Sequence, residues 1–488
     1  MVLSTRLARS EAVFVALVVA GVVVCGALVV IQPLLLLALA GAVVLVGVSF
    51  LPPVPLLVLY VCLTAIVPYG VQNSFGIGGG SGSPGLLLSD VLLLAGLVRA
   101  VPVLFHLRLP SRVRLVAVAV AAFLVIAFIQ FTRGVLLGRS PSTAGAELRV
   151  LMGFGALLIA LPILADRRQR GQLFRLLPAV GLAVGAWGIV QWVLQIEFSG
   201  AGDSGVQAGV RFATSGRGQL QGGLFAFPVA ALMALAGLMS DEVRSLRSRL
   251  VLLAIVALNL LSLLLTYERT FWVATTLAAA VLVAKAGGSQ RLRAVTAGAG
   301  VVLLSLALLS TLAPDTLAAA RERLLSLSQY SSDDSVRFRV TETVHVAREI
   351  AARPVTGSGL GATIFFGRPW DRVPPESLTF AHNGYLWLMW KLGIPAAALV
   401  LVPFVVAVGW FRRPRDGSAD AALGNGCRAA LLALAVASVT FPSFNQLSIT
   451  PTLGLLIALS FMADRPTSTS PAQGERGDVA LTISSASR

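Results

Sequence analysis

The segment Phe380–Leu386 reads Phe-Ala-His-Asn-Gly-Tyr-Leu and contains one of the three histidines of the chain. A neutral imidazole accepts a proton near pH 7, so His382 is suited to act as a general base. Asn383 favours the N-cap of a helix that begins here, and His382 would then only flank that cap. The residues alone leave both interpretations open.

Arginines in three other segments could bind phosphate, because a guanidinium donates a fork of hydrogen bonds to phosphate oxygens. Arg269 follows Glu268 at the start of an apolar run, and a pair between these two side chains is the alternative interpretation. Arg339 opens an amphipathic pattern together with Glu342, where both side chains could lie on a solvated face. Arg211 precedes another apolar run and could equally be a solvated loop residue.

The composition indicates that these segments belong to a membrane protein. Of the 488 residues, 56% are hydrophobic and only 12% are charged, whereas soluble domains carry about 25% charged residues. These values exclude a soluble enzyme, and they also exclude a mainly disordered chain. The net charge of +16 comes from 38 basic and 22 acidic residues. Most basic residues stand between apolar runs, so they indicate membrane topology rather than nucleic-acid binding.

The apolar runs predict an all-α fold, namely a polytopic integral membrane helical bundle of about 12–14 transmembrane helices. Each run is close to the length that crosses the hydrocarbon core of a bilayer. The predicted helices cover residues 12–30, 33–50, 53–69, 86–104, 113–131, 148–165, 173–195, 219–239, 250–266, 270–287, 295–312, 384–411, 427–443 and 447–463.

The basic residues of the short loops also predict orientation. They gather on one side when the N-terminus is placed in the cytoplasm, as the positive-inside rule requires. Both termini are then cytoplasmic, and the arginine and histidine segments described above are external. Residues 313–383 form one long external loop with helical patterns at Asp315–Leu327 and Val340–Ala352. Loops of this length are usually functional or disordered.

The chain therefore divides into five predicted parts. They are the N-terminal transmembrane helices (1–209), transmembrane helices with external arginine segments (210–312), the long external loop (313–383), the C-terminal transmembrane helices (384–463) and a disordered cytoplasmic tail (464–488).

No motif indicates a metal site or a cofactor. The three cysteines have no ligand spacing, and Asp90 is the clearest acid within an apolar run. The stretch Gly357–Gly361 reads Gly-Ser-Gly-Leu-Gly, but it lacks the Lys-Ser/Thr and the βαβ setting of a phosphate-binding loop.

Taken in order, these segments resemble the O-antigen ligase/polymerase superfamily, over roughly residues 210–445. The patterns of that family read like SRGxW, RxxxW…(H/R)PxxGxGxG and HNxYL. The matching segments here are Arg269-Thr270-Phe271-Trp272, Arg339, Arg353-Pro354-Val355-Thr356-Gly357-Ser358-Gly359-Leu360-Gly361 and His382-Asn383-Gly384-Tyr385-Leu386. The chain departs from the family at Glu268-Arg269-Thr270, where Ser-Arg-Gly is common, and at Thr343, where Trp often stands.

The resemblance implies metal-independent glycosyl transfer or polymerisation at the external face of the bacterial cytoplasmic (inner) membrane. The donor would be a glycan on undecaprenyl or decaprenyl diphosphate, and the acceptor a hydroxyl of a glycan or lipid. His382 would act as the base, Arg269 and Arg339 would hold the diphosphate, and Arg211 is a third candidate for it. Membrane lipids are expected partners, whereas cofactors, metals and nucleic acid are not expected.

Two other functions share a many-spanning architecture. A transporter or flippase of lipid-linked sugars would need polar groups through the membrane depth or repeated halves, and inspection finds neither pattern. A cell-wall glycan polymerase of the elongation or division type is a third hypothesis. The sequence shows no external acidic catalytic motif that matches such an enzyme.

Overall fold

The membrane interior offers no water to the backbone, so apolar runs of about 17 or more residues form helices that satisfy their own N–H and C=O groups. The computed structural model of the protein describes residues 51–67, 85–194, 223–325, 334–366, 376–409 and 418–462, together with Gly47, Phe50 and Gln72. The predicted helices at 12–30 and 33–50 lie outside these residues, except for Gly47 and Phe50. Arg211 and the predicted tail lie outside them too.

The described residues are almost entirely helical. The first group of helices is α1 (Pro53–Ile66), α2 (Leu88–His106), α3 (Ser111–Leu136), α4 (Pro141–Met152), α5 (Gly155–Ala165) and α6 (Arg167–Leu194). The second group is α7 (Ala226–Met239), α8 (Leu246–Leu265), α9 (Arg269–Lys285), α10 (Gly288–Leu312), α11 (Pro314–Leu325) and α12 (Asp334–Ala352). The last group is α13 (Gly384–Leu392), α14 (Ile394–Gly409), α15 (Ala419–Ala437) and α16 (Thr450–Met462).

Many of these helices have the length and composition of membrane spans. Among the described residues, seven helical segments are long and apolar enough to cross a membrane, and α1, α7, α14 and α16 are shorter apolar helices. The prediction of a polytopic helical membrane protein is therefore confirmed.

Glycines break two of the predicted helices. Residues 148–165 were predicted as one helix, but Gly153 separates α4 from α5, and α4 begins at Pro141. A Cβ at Gly153 would lie 2.2 Å from Thr450 Oγ1, so the close approach to α16 needs glycine here. Residues 384–411 were also predicted as one helix. Gly393, with φ of +86°, divides that segment into α13 and α14.

The long connection between α10 and α13 has regular structure of its own. The predicted helical patterns at 315–327 and 340–352 correspond to α11 and α12, and α12 begins earlier than predicted. A short antiparallel hairpin pairs β1 (Ile364–Phe366) with β2 (Glu376–Leu378), and Ile364 lies opposite Leu378. The sequence analysis did not anticipate this hairpin.

The turn that joins α15 to α16, residues 438–445, ties together the starts of two other helices. Thr440 Oγ1 lies 3.1 Å from Thr270 Oγ1 in the first turn of α9. The backbone carbonyl of Ser438 accepts a hydrogen bond of 2.9 Å from the N–H of Gly384, where α13 begins. Because both contacts involve one turn, α9 and α13 begin at the same end of the bundle.

Candidate active site

His382 lies just before α13, and a carboxylate on α12 holds its ring. The Nδ1 atom of His382 is 3.1 Å from Glu342 Oε1, and the backbone N–H of His382 donates to Glu342 Oε2 at 2.8 Å. When Nδ1–H donates to the carboxylate, the lone pair of the ring is on Nε2. The side chain of His382 is 24% exposed. The arrangement therefore has the features of a general base with an orienting carboxylate.

Glu342 itself is buried, with 1% of its surface exposed. The interpretation that places Glu342 beside Arg339 on a solvated face is therefore wrong for the glutamate. A buried carboxylate is costly unless hydrogen bonds satisfy it, and the ring and backbone N–H of His382 supply such bonds. The sequence offered one signal for this role, since Glu342 stands on the same amphipathic pattern as the apolar Phe338 and Val346.

Two aromatic rings fix the orientation of the His382 imidazole. Phe338 meets it edge to face with ring centroids 5.6 Å apart, and Phe380 does so at 5.2 Å. Phe338 comes from α12, as Glu342 does, so one helix supplies both the hydrogen bond and the packing. The ring is consequently held from the α12 side and from its own segment.

The start of α13 is a rigid support for this ring. The Asn383 side chain accepts a hydrogen bond of 3.1 Å from the N–H of Leu386, so the predicted N-cap is confirmed. Tyr385 Oη donates to the carbonyl of Ala435 at 2.8 Å, which joins α13 to α15. The N-cap formed by Asn383 and the contact of His382 with Glu342 thus occur together in this segment.

Arg339 belongs to the same cluster through its helix. It lies three residues before Glu342 on α12, and residues at this spacing share a face of a helix. Its side chain is half-buried. The structure therefore brings the helix that carries Arg339 against the segment that carries His382.

Arg269 is the first residue of α9 and is also half-buried. The residue two positions before it, Tyr267, has a positive φ of 56°, which turns the chain sharply between α8 and α9. Trp272 Nε1 donates to the carbonyl of Leu263 at 2.8 Å and so fixes the first turn of α9 against α8. The backbone around Arg269 is therefore well constrained.

The starts of α9 and α13 face a common turn, so Arg269 lies at the same end of the bundle as His382. Besides the Thr270–Thr440 contact, Phe271 meets both Phe225 and Phe441 edge to face at centroid distances of 5.2 and 5.4 Å. The described residues thus place Arg269, Arg339 and His382 at one end. Arg211, the weakest of the predicted site residues, lies outside the described part.

The Gly357–Gly361 stretch packs against the membrane helices. Its three glycines have positive φ values of 60°, 82° and 75°, which side chains rarely adopt. The N–H groups of Ser358 and Gly359 donate to the carbonyls of Trp390 and Lys391 at 2.8 and 3.0 Å. Because these amides already have acceptors within the protein, Gly357–Gly361 anchors the long connection between α10 and α13 to the membrane helices, and we call it the anchor segment.

A buried ion pair lies beneath this loop. Lys391 Nζ is 2.6 Å from Glu147 Oε1, and both side chains are fully buried. Glu147 Oε2 also accepts the N–H of Gly361 at 2.7 Å, and Lys391 Nζ donates to the carbonyl of Ala362 at 2.6 Å. Sequence analysis placed Lys391 within a span but missed Glu147, because the apolar run of α4 was predicted to begin one residue after it.

The His, Cys, Asp and Glu side chains, which could bind a metal ion, are dispersed over the described part of the chain. No group of three or more His, Cys, Asp or Glu side chains there could hold a metal ion.

Residues 253–401, about a third of the chain, match the family model described as O-antigen ligase. The matched segment includes Arg269, Arg339 and His382. No curated protein matches the chain. The family match confirms the resemblance drawn from the motifs and supports a glycosyltransferase activity of the ligase or polymerase type.

Proposed function

We propose that this member of the O-antigen ligase/polymerase superfamily transfers or polymerises a glycan from a polyprenyl-diphosphate donor onto an acceptor hydroxyl. The observation that carries the proposal is the contact of His382 with Glu342, which leaves Nε2 as the proton acceptor. The reaction takes place at the external face of a bacterial cytoplasmic membrane. The donor there is a lipid-linked glycan, and the acceptor is a glycan or a lipid.

His382 removes the proton of the acceptor hydroxyl as the new bond forms. The acceptor oxygen attacks the anomeric carbon of the donor, and its proton passes to Nε2. The bond from the anomeric carbon to the diphosphate oxygen breaks, and its electron pair leaves with the diphosphate. Glu342 lies against Nδ1 and balances the positive charge that the ring acquires. A positioned base of this kind contributes roughly 10²–10⁴-fold to the rate.

Arg339 and Arg269 hold the diphosphate. Negative charge grows on the leaving group in the transition state, and preorganised guanidiniums stabilise that charge without a metal ion. Arg339 is on the helix that holds His382, and Arg269 begins a helix at the same end of the bundle. Arg211 is a third candidate for the diphosphate.

The test is transfer by the purified full-length protein with a defined undecaprenyl-diphosphate glycan donor, with and without a chelator. We expect His382→Gln to reduce the transfer rate by at least about 10²-fold. His345→Gln is the matched control, because His345 lies on α12 and its Nδ1 atom is 2.9 Å from the carbonyl of Thr341, one turn earlier on the same helix. We expect this control to retain transfer, and we expect the chelator to have no effect.

Near-normal transfer by His382→Gln would contradict the assignment of the base. Loss of transfer on addition of the chelator, restored by a divalent cation, would contradict metal independence. For the diphosphate role, Arg269→Lys should weaken donor binding, since an ammonium cannot reproduce the fork of the guanidinium. Unchanged donor affinity in that variant would remove Arg269 from the site.

A further inference from the structure

Two apolar grooves meet at the start of α8, at the end of the bundle away from His382. One, of about 510 Å³, is lined by α1, α6, α7, α8, α15 and α16, and the other, of about 440 Å³, lies between α6 and α8. Arg247 and Val251 line both grooves, so they form the ridge that separates them. Each groove has a volume typical of a ligand site.

The walls of both grooves are apolar, and the polar side chains lie mainly at one end. Met233, Ile255 and Leu456 are typical of the walls of the larger groove, and Leu182, Leu250 and Ala254 line the smaller one. In the larger groove, Ser240, Arg247, Ser248 and Asp420 stand near the ends of helices, at the junctions before α8 and α15. A ligand that occupies both grooves therefore needs apolar chains for the walls and a polar group that contacts Arg247.

The charges around Arg247 favour an anionic group. Arg247 is exposed, and the exposed Arg244 precedes it by three residues. Three carboxylates lie at the junctions before α8 and α15, namely Asp241, Glu242 and Asp420. Asp241 is paired with Arg293, and the hydrogen bond from Arg293 Nη2 lowers the pKa of the Asp241 carboxyl. Asp420, in the first turn of α15, lines the larger groove.

We propose that a diacyl phospholipid is bound here, with its phosphate at Arg247 and one acyl chain in each groove. One anionic group with two apolar chains matches one arginine between two apolar grooves. The diphosphate of a donor bound at Arg269 cannot also contact Arg247, because the 20-residue α8 separates Arg247 from the start of α9 by about 30 Å. The lipid therefore belongs to the leaflet opposite the active site.

Native mass spectrometry of the delipidated full-length protein, with phosphatidylglycerol added, tests the proposal. We expect one diacyl lipid to bind per chain. Arg247→Gln should weaken this binding by about tenfold or more, as loss of a charge-assisted hydrogen bond would. Arg249→Gln is the matched control, since Arg249 lies on α8 two residues later and lines neither groove. We expect it to bind as the unmodified protein does.

A second variant tests whether each groove holds one acyl chain of the lipid. Ala254→Trp would fill the smaller groove only, because Ala254 lines that groove and not the larger one. We expect this variant to bind phosphatidylglycerol no better than lysophosphatidylglycerol, which has a single chain. Three results would overturn the proposal: equal binding by the two arginine variants, weaker binding of undecaprenyl diphosphate by Arg247→Gln than by the unmodified protein, or no bound lipid because another part of the chain fills the grooves.

Discussion

Glu342 fixes which nitrogen of His382 would accept the proton in the proposed reaction. Its carboxylate receives both the backbone N–H and the ring Nδ1 of the histidine, so the two bonds fix the position and the tautomer together. A ring free to flip would present Nδ1 or Nε2 at random. Oriented imidazoles in other hydrolases and transferases depend on a carboxylate in the same way.

Glu342→Gln should therefore reduce transfer while His382 remains in place. The amide keeps the size of the side chain, but one of its ends donates instead of accepting, so it cannot serve both N–H groups. We expect a loss between about 10²- and 10⁴-fold in the transfer rate, measured on purified protein with saturating donor. Donor affinity should change little, because Glu342 contacts His382 and has no role in holding the diphosphate in the proposed reaction.

The matched control for this variant is Glu349→Gln on the same helix. Glu349 Oε2 lies 3.5 Å from Ser358 Oγ, in the anchor segment and away from His382. We expect the control variant to keep its transfer rate. Equal activity of the two variants would show that Glu342 has no role in orienting the base.

The sequence predicts the candidate reactive residues better than it predicts the side chains that they contact. His382 and Asn383 stand next to each other, and the cap and the base can both be recognised from residue type. Glu342 lies 40 residues away from His382, and the pairing depends on how α12 folds back onto α13. Local patterns contain no information about such a contact, so the sequence allows a solvated face for Glu342 beside Arg339 and does not reveal its pairing with His382.

Helices follow from hydropathy, whereas their breaks follow from close contacts. The apolar runs predicted most described helices because a span needs only length and composition. Gly153 and Gly393 look like ordinary glycines in an apolar run, and only the approach of Thr450 or Val355 shows why the helix ends there. For the same reason, the hairpin within 364–378 could not be predicted from three-residue strands.

Gly393→Ala should destabilise the protein. Gly393 has φ of +86°, and an added Cβ would lie 2.1 Å from the carbonyl oxygen of Val355. Strain of this kind costs about 1–3 kcal/mol, and the clash with a backbone atom adds to it. We expect a lower midpoint of thermal unfolding in detergent, and a lower transfer rate, because Gly393 ends the helix that begins beside His382.

Gly409→Ala provides the comparison. Gly409 is the last residue of α14, and an added Cβ would meet nothing within 4 Å. Its substitution should change stability by no more than about 1 kcal/mol, in the direction of a better helix former. Equal melting of the two variants would mean that the division between α13 and α14 does not depend on the conformation of Gly393.

Across the whole molecule, the pair of Glu147 and Lys391 joins α4, the anchor segment and the end of α13. These residues are 244 positions apart in the chain. The pair anchors the long connection between α10 and α13 at the end of α13, and the contact between Glu342 and His382 holds it at the start of α13. This connection is thus attached to the membrane helices at both ends of α13.

Removal of one partner should be far more harmful than removal of both. Lys391→Met would leave the Glu147 carboxylate buried without its counter-charge, at a cost of about 3–5 kcal/mol. The double variant Glu147→Gln with Lys391→Met removes both charges and should regain much of that stability. Thermal unfolding of the two single variants and the double variant measures the coupling. Additive losses would show that the two charges act independently.

The orientation of the molecule rests on its charges, and labelling of single cysteines measures it directly. Three basic residues stand at this end of the helices, which predicts that it is cytoplasmic: Arg244 just before α8, Arg247 in the first turn of α8 and Lys285 at the end of α9. In a chain whose three cysteines are replaced by alanine, we expect Ala352→Cys at the end of α12 to react with a membrane-impermeant maleimide on intact cells. Ser289→Cys, in the first turn of α10, should react only after the membrane is permeabilised; both positions are exposed, so burial cannot account for a difference. The reverse pattern would place His382 in the cytoplasm, and a lipid-linked donor presented at the outer surface could then not reach the proposed base.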